Sequence, residues 1–192
     1  MTSEIGRKVL HLLSGISILL MLIYGLLNVK IMFYILIFGC FLSILSMKVR
    51  LPGLSWLLDN FERKNEKIPG KSSLFFLAGS ILALRLFSFD IALASIAVLT
   101  FADSLSNMTG RVFGRRKFVL NKYKNIEGIL FGIIIGTLSA MFFVNFTEAF
   151  VASFFAMFIE AIEIKVSDEH IDDNLLIPLV AGTVMFLLRI WF

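Results

Sequence analysis

One cysteine, three prolines and two histidines in 192 residues rule out several kinds of protein at once. A lone Cys40 cannot close an intrachain disulfide. Set in the apolar run Ile31 to Met47 it also lacks partners for a metal site, so it reads as a lipid-facing or packing residue. There is no Cys/His ligand spacing, no Gly-x-Ser-x-Gly elbow, no nucleic-acid motif and no complete Gly-x-x-x-x-Gly-Lys-Ser/Thr loop. Pro69-Gly70-Lys71-Ser72-Ser73 shares only the last part of such a loop. Charge is scarce as well, at 17% against 58% apolar residues with 21 phenylalanines. A mean hydropathy of +0.91 puts the chain outside the soluble range. Apolar runs recur along nearly the whole length, so residues 1–192 read as a single membrane-embedded unit. Met1 to Lys8 has the charge of a signal-peptide start, but the run after it is too long and no small-residue cleavage site closes it. That segment is expected to remain as the first helix.

A spanning helix needs about 20 mostly apolar residues. Candidates fall near 8–28, 31–47, 73–89, 91–109, 126–145, 148–164 and 175–192, which predicts an all-α, polytopic bundle of about seven spans. The connections Asn28 to Lys30, Ser88 to Asp90 and Asn145 to Glu148 are short enough only for tight turns between antiparallel neighbours. Positive residues in short loops stay cytosolic. Arg7, Lys8, Lys48, Arg50, Arg63, Lys64, Lys67, Lys71, the basic residues of Arg111 to Lys124, and Lys165 fall on one side of a seven-span chain, with Lys30 alone in a loop on the other. The N-terminus is therefore expected in the cytosol. Arg85 reads as a helix-end anchor, and Arg189 lies near enough to an end to snorkel.

Ionisable residues at membrane depth cost roughly 2.5–3.5 kcal/mol each on insertion scales, which makes them functional candidates. Asp103 follows the stretch Ile91 to Ala102, Glu127 opens the fifth span, Glu160 and Glu163 close the sixth, and Asp172, Asp173 and Asn174 precede the seventh. In the expected orientation all of them approach the cytosolic side beside the basic loops. Carboxylates next to Lys and Arg meet the needs of a Mg-nucleotide site, and interhelical salt bridges are the competing explanation for any one of them. The densest stretch is Ala102 to Gly132. Asp103, Ser104, Ser106, Asn107 and Thr109 end a span; Gly110 and Gly114 permit close backbone approach; Arg115, Arg116, Lys117, Lys122 and Lys124 follow; and Asn125 can cap a helix that begins Ile126-Glu127-Gly128. Such a helix N-terminus attracts phosphate. Gly128, Gly132 and Gly136 repeat every four residues, a helix-packing pattern in which Gly128 can also serve the site. Arg7 and His11, at i and i+4, share a face near the boundary, where His11 suits a phosphate contact, a proton acceptor or a hydrogen bond within the bundle. His170, in a charged loop, reads as solvated.

Five motifs appear in order: Glu4-Ile-Gly-Arg7-Lys8-Val-Leu-His11 with Gly15; Gly70-Lys71-Ser72-Ser73-Leu-Phe-Phe76; Ala102-Asp103-Ser104 to Gly110 and Gly114; Lys124-Asn-Ile-Glu127-Gly128; and Asp173-Asn174-Leu-Leu-Ile-Pro178. Together they resemble the family of dolichol kinases, phytol kinases and CTP-dependent diacylglycerol kinases. Ala102 and Asn125 stand where that pattern has Gly and Thr or Ser. The resemblance implies phosphoryl transfer from CTP, or a related nucleotide with Mg²⁺, to the hydroxyl of a long-chain lipid such as dolichol or another polyprenol. It implies a multi-pass protein of a cell or endoplasmic reticulum membrane, with a cytosolic active site and no nucleic-acid partner. On this reading Asp103 and Glu127, helped by Glu160 or Asp173, hold Mg²⁺. Lys71, Arg115, Arg116, Lys117 and Lys124 meet the triphosphate, with Arg7, Lys8, Ser72, Gly110, Gly114, Gly128 and Asn174 completing the nucleotide site. Asp103 or His11 accepts the lipid proton. Cytidylyl transfer to phosphatidate uses nearly the same ligands and is the alternative reaction, and a transporter is the alternative of another class.

Overall fold

A computed structural model describes residues 2–62, 68–162, 165–166 and 169–191, with side chains among residues 4–162 and 171–191 of these. Arg63, Lys64, Lys67 and Glu163 lie outside the described residues, as do the side chains of Lys165 and His170. The chain is built of α1 (Thr2–Ile23), α2 (Val29–Ser46), α3 (Leu54–Phe61), α4 (Lys71–Leu86), α5 (Phe89–Ala97), a π-helical segment (Val98–Asp103), α6 (Ser104–Phe113), α7 (Ile126–Ala140), α8 (Phe146–Ile162) and α9 (Asp173–Trp191). Two-residue strands β1 (Lys165–Val166) and β2 (Glu169–His170) pair antiparallel and are a small addition to the all-α expectation.

Local chemistry sets the boundaries. α1 ends five residues before the predicted Asn28, because the chain turns through Gly25 at φ +69°, with the amides of Leu26 and Leu27 both donating to the Met21 carbonyl. Gly70, at φ +74°, is the left-handed residue from which α4 starts. Asn28 caps α2, its side chain accepting from the Ile31 amide at 3.0 Å. The short helix α3 was expected as charged loop. It presents Leu54, Leu58 and Phe61 to the bundle while Asp59 and Asn60 face outward, an amphipathic pattern compressed into eight residues.

Phe89–Phe113 runs as one continuous rod through the centre. Its most apolar stretch is 78% buried, against 17% for α1 and 11% for α2. Ile91, Ala94, Ile96, Val98, Leu99 and Ala102 form the centre of the core. α7 lies against this rod and α8, and the predicted glycine spacing makes that possible. A Cβ on Gly132 would lie 2.8 Å from Ser106 Cβ, and one on Gly136 would lie 3.1 Å from Ala102 Cβ. α9 packs on α8, α4 and α5. Its Pro178 leaves the Asn174 carbonyl without the usual helical donor, and Gly79 of α4 fits there because a Cβ would meet that oxygen and come within 3.2 Å of Pro178 Cγ.

Among the described residues, four helices are long and apolar enough to cross a membrane: Glu4–Ile23, Val29–Ser46, Phe89–Phe113 and Asp173–Trp191. The outward faces of α1 and α2 carry Leu13, Leu20, Phe33, Phe38 and Phe41, a continuous apolar exterior that suits hydrocarbon rather than water. Arg85 is exposed in the last turn of α4, as a helix-end anchor should be. Arg189 does not simply snorkel. It donates from Nε and Nη2 to the Glu148 carboxylate at 2.9 and 3.0 Å, and pairs with Asp90 at 2.6 Å. Glu148, expected in a tight turn, is accordingly buried in the first turn of α8.

Candidate active site

Three carboxylates from three elements meet at the end of the bundle opposite Arg189. The π segment delivers Asp103, the last turns of α8 deliver Glu160, and the first turn of α9 delivers Asp173. Their oxygen atoms lie within 4.8 Å of one another. Asp103 and Glu160 are each only 1% exposed. Two lysines close on them: Lys8 Nζ of α1 lies 2.6 Å from Asp103 Oδ2, and Lys124 pairs with Glu160. Asn107, one turn beyond Asp103, donates through Nδ2 to Asp103 Oδ1 at 2.9 Å and reaches Glu160 Oε1 at 3.4 Å. His11 Nε2 is 3.9 Å from Asp103 Oδ2 and has no hydrogen-bond partner among the described residues.

These groups line a cavity of about 400 Å³. Lys71 and Ser72, opening α4, and Asn174, in the first turn of α9, stand on its wall, joined by the Asn174 Nδ2 to Ser72 Oγ bond at 3.1 Å. The amide-rich ends of two helices therefore border the same space as the carboxylates, the arrangement that receives phosphate oxygens. Gly128 allows α7 to approach α6 closely, since a Cβ there would lie 2.6 Å from the Ser106 carbonyl oxygen and 2.9 Å from Gly110 Cα. Residues 114–125 form a hairpin between these helices, with Phe118 N donating to Lys124 O at 2.9 Å and Ile126 N to Arg116 O at 3.0 Å. The hairpin carries Lys124 inward. Burial disfavours its ammonium, but the fields of Glu160 and Asp173 more than offset this and raise its pKa.

Of the sequence-predicted residues, Arg7, Lys8, His11, Lys71, Ser72, Asp103, Gly110, Lys124, Gly128, Glu160, Asp173 and Asn174 line this one cavity. Gly114, Arg115, Arg116, Lys117 and Glu127 do not. Arg115, Arg116 and Lys117 lie exposed on the hairpin. Glu127 is turned away from the other carboxylates because its side chain accepts the Arg116 amide, at 3.1 and 3.3 Å. Asn125 sits at the position preceding α7 but makes no side-chain cap; its Nδ2 donates to the Gly110 carbonyl at 2.5 Å, tying the hairpin to α6. Sequence reasoning missed the part played by Asn107, although its place four residues after Asp103 on a helix was a readable signal. It also missed the π segment, for which composition holds no signal.

The donor set fits a Mg²⁺ ion. It offers oxygen ligands only, one from each of three carboxylates within 4.8 Å of one another, and Asp103 and Glu160 are buried.

Two curated proteins are similar to this chain. CTP-dependent diacylglycerol kinase 1 of Eremothecium gossypii is 32% identical over 89 residues, which cover 46% of this chain and 28% of that protein. The protein of the same name from Schizosaccharomyces pombe is 26% identical over 143 residues, covering 66% of this chain and 64% of its own length. The chain thus spans less than two thirds of either relative. No family profile and no solved structure matches it.

Proposed function

We propose that the protein transfers the γ-phosphoryl group of CTP to the hydroxyl of a membrane lipid, in the cavity bordered by Asp103, Glu160 and Asp173. The carrying observation is the meeting of these carboxylates with lysines and two helix N-termini at one end of an apolar bundle. Similarity to proteins named CTP-dependent diacylglycerol kinase supports CTP as donor and makes 1,2-diacylglycerol the first acceptor to try, ahead of dolichol and other polyprenols. In this reading α1, α2, α4, the α5–α6 rod, α7, α8 and α9 cross the membrane as seven spans of one unit, residues 1–192. The N-terminus and the cavity face the cytosol, which the concentration of basic residues at that end supports. A transport path calls for polar residues through the depth of several helices. The ion pairs here gather at the two ends instead, which favours the kinase.

When bound by Asp103, Glu160 and Asp173, Mg²⁺ supplies charge neutralisation at the phosphate oxygens. Lys71 and Arg7, with the amides opening α4 and α9, hold the triphosphate. Lys8, Lys124 and Asn107 keep two of the carboxylates in place. The lipid oxygen bonds to the γ-phosphorus as the bond from that phosphorus to the bridging oxygen breaks. CDP departs, and the hydroxyl proton passes to His11 Nε2, which is buried and has no other hydrogen-bond partner among the described residues.

The test is incubation of the protein in lipid nanodiscs with Mg²⁺, γ-labelled CTP or ATP, and diacylglycerol, phytol or polyprenols. Label is expected in the organic phase with CTP. Its absence with every alcohol overturns the reading, and pyrophosphate release with phosphatidate would select cytidylyl transfer in its place.

A further inference from the structure

A second cavity, of about 360 Å³, lies beside the first between α1, α2, α3 and α4. Its volume is in the range of small-molecule sites, about 300–1,000 Å³. Its character is the reverse of its neighbour's, for Leu10, Ile18, Leu42, Leu58, Phe61 and Phe76 supply the walls. Of its polar lining, Ser43 donates to the Pro69 carbonyl at 2.6 Å, Ser14 to the Leu10 carbonyl at 2.7 Å and Ser46 to the Ser43 carbonyl at 2.8 Å, and Glu62 accepts from the Gly70 amide. Gly39, on the α2 wall, lets α2 pack close on α4, for a Cβ would come within 2.9 Å of Leu74 Cδ2.

Arg7, His11 and Ser72 line both cavities and form the partition. The His11 side chain is only 9% exposed, and its ring meets Phe76 edge-on, 4.8 Å between centroids, on the apolar side. Its Nε2 lies toward Asp103, without a hydrogen-bond partner among the described residues. A ligand that fills both spaces must be hydrocarbon at one end and carry a hydrogen-bonding group at the other, within reach of His11.

We infer that the α1–α4 cavity seats one hydrocarbon chain of the acceptor lipid and sets its hydroxyl at the His11 partition, an inference that rests on the kinase reading for the fate of that hydroxyl. α3 is the roof. It sets Leu54, Leu58 and Phe61 over the cavity and leaves Trp56 exposed, its ring edge-on to Phe61 at 6.0 Å, as an amphipathic helix lying in the membrane interface does. α1 and α2 are the least buried of the candidate spans, so this flank of the bundle is also where lipid is at hand.

A diacylglycerol bearing a diazirine midway along one acyl chain tests the inference in phosphatidylcholine nanodiscs without nucleotide. After irradiation, label is expected on Leu54–Phe61 and Leu74–Leu77 at least about fivefold above the outward face of α2, and to be competed by dioleoylglycerol. Gly39→Leu and Leu58→Trp should cut this labelling by about fivefold and raise KM for diacylglycerol with little change in KM for CTP, whereas Phe38→Trp on the exposed face of α2 should alter neither. Label spread evenly over the exposed helix faces of the wild type overturns the inference, whatever the variants do. The labelling needs no turnover, so a labelled cavity in a protein that phosphorylates no alcohol would retain the chain seat and remove the kinase reading. Turnover with an unlabelled cavity would do the opposite.

Discussion

The two ends of the bundle carry the same arithmetic and behave differently. At one end Asp90 and Glu148 share the single cation Arg189; at the other Asp103, Glu160 and Asp173 share Lys8 and Lys124. Counted over these partners alone, each cluster has one carboxylate more than it has cations, with Arg7 and Lys71 on the wall of the same cavity as the second. The Arg189 cluster is open to water, with the arginine and Asp90 side chains 35% and 43% exposed, and the planar guanidinium takes both oxygens of Glu148. Solvent and a two-pronged donor satisfy it, and it pins α9 to α8 and α5. At the other end Asp103 and Glu160 are buried, and each lysine, as a point charge, meets a single carboxylate oxygen. The first arrangement needs nothing beyond the fold, whereas the second gathers the oxygen donors that a further cation would use. Composition alone would have ranked the two alike.

That contrast can be broken by experiment. The largest effect is expected from Asp103→Asn, which should lower phosphoryl transfer by at least about 100-fold in purified, monodisperse protein. Glu148→Gln at the opposite end should change it less than about twofold, and equal losses would erase the distinction. Chelation with EDTA should abolish transfer, and Asp173→Asn should shift the Mg²⁺ concentration needed for half-maximal rate upward by about tenfold. Lys71→Ala should raise KM for CTP by about tenfold, against about threefold for joint alanine replacement of the exposed Arg115, Arg116 and Lys117. Arg189→Ala should leave the rate untouched and cost about 1–3 kcal/mol of stability, read as a lower Tm, because it strips the buried Glu148 carboxylate of its two-pronged donor. The smallest response concerns pH. Lys124 has a raised pKa, so the stability its charged form contributes is present below the ordinary lysine range and is lost only as pH climbs through that raised value. Between pH 7 and 9 this lysine should contribute no change in Tm.

The sequence made the clustering of Asp103, Glu160 and Asp173 legible because a carboxylate at the end of an apolar run is costly wherever it stands, and the seven apolar runs brought those ends together. Gly132 and Gly136 were legible as packing because their spacing repeats the helical turn. Glu127 was not distinguishable from Asp173. Both occupy the first turn of a helix, and only the hairpin amide of Arg116 diverts one of them. Asn125 failed as a cap for a similar reason, since the bond from its Nδ2 to the Gly110 carbonyl holds the side chain toward α6, and its Oδ1, the atom a cap would use, accepts no hydrogen bond among the described residues. α3 was hidden by brevity, its three inward residues standing between Gly53 and a charged run.

The π segment Val98–Asp103 gives a single rod two phases. In an α-helix each residue advances about 100° around the axis, and a wider turn that takes in one extra residue shifts everything beyond it by about that angle. α5 packs mainly on α9 and α4, while α6, continuing along the same line, packs mainly on α7 and turns Asn107 and Gly110 to the cavity. Removing one residue between Val98 and Ala102 would leave the apolar content almost unchanged. It would nevertheless rotate Asp103 and Asn107 relative to α5, so the candidate site depends on the length of this stretch as well as on which residues it holds.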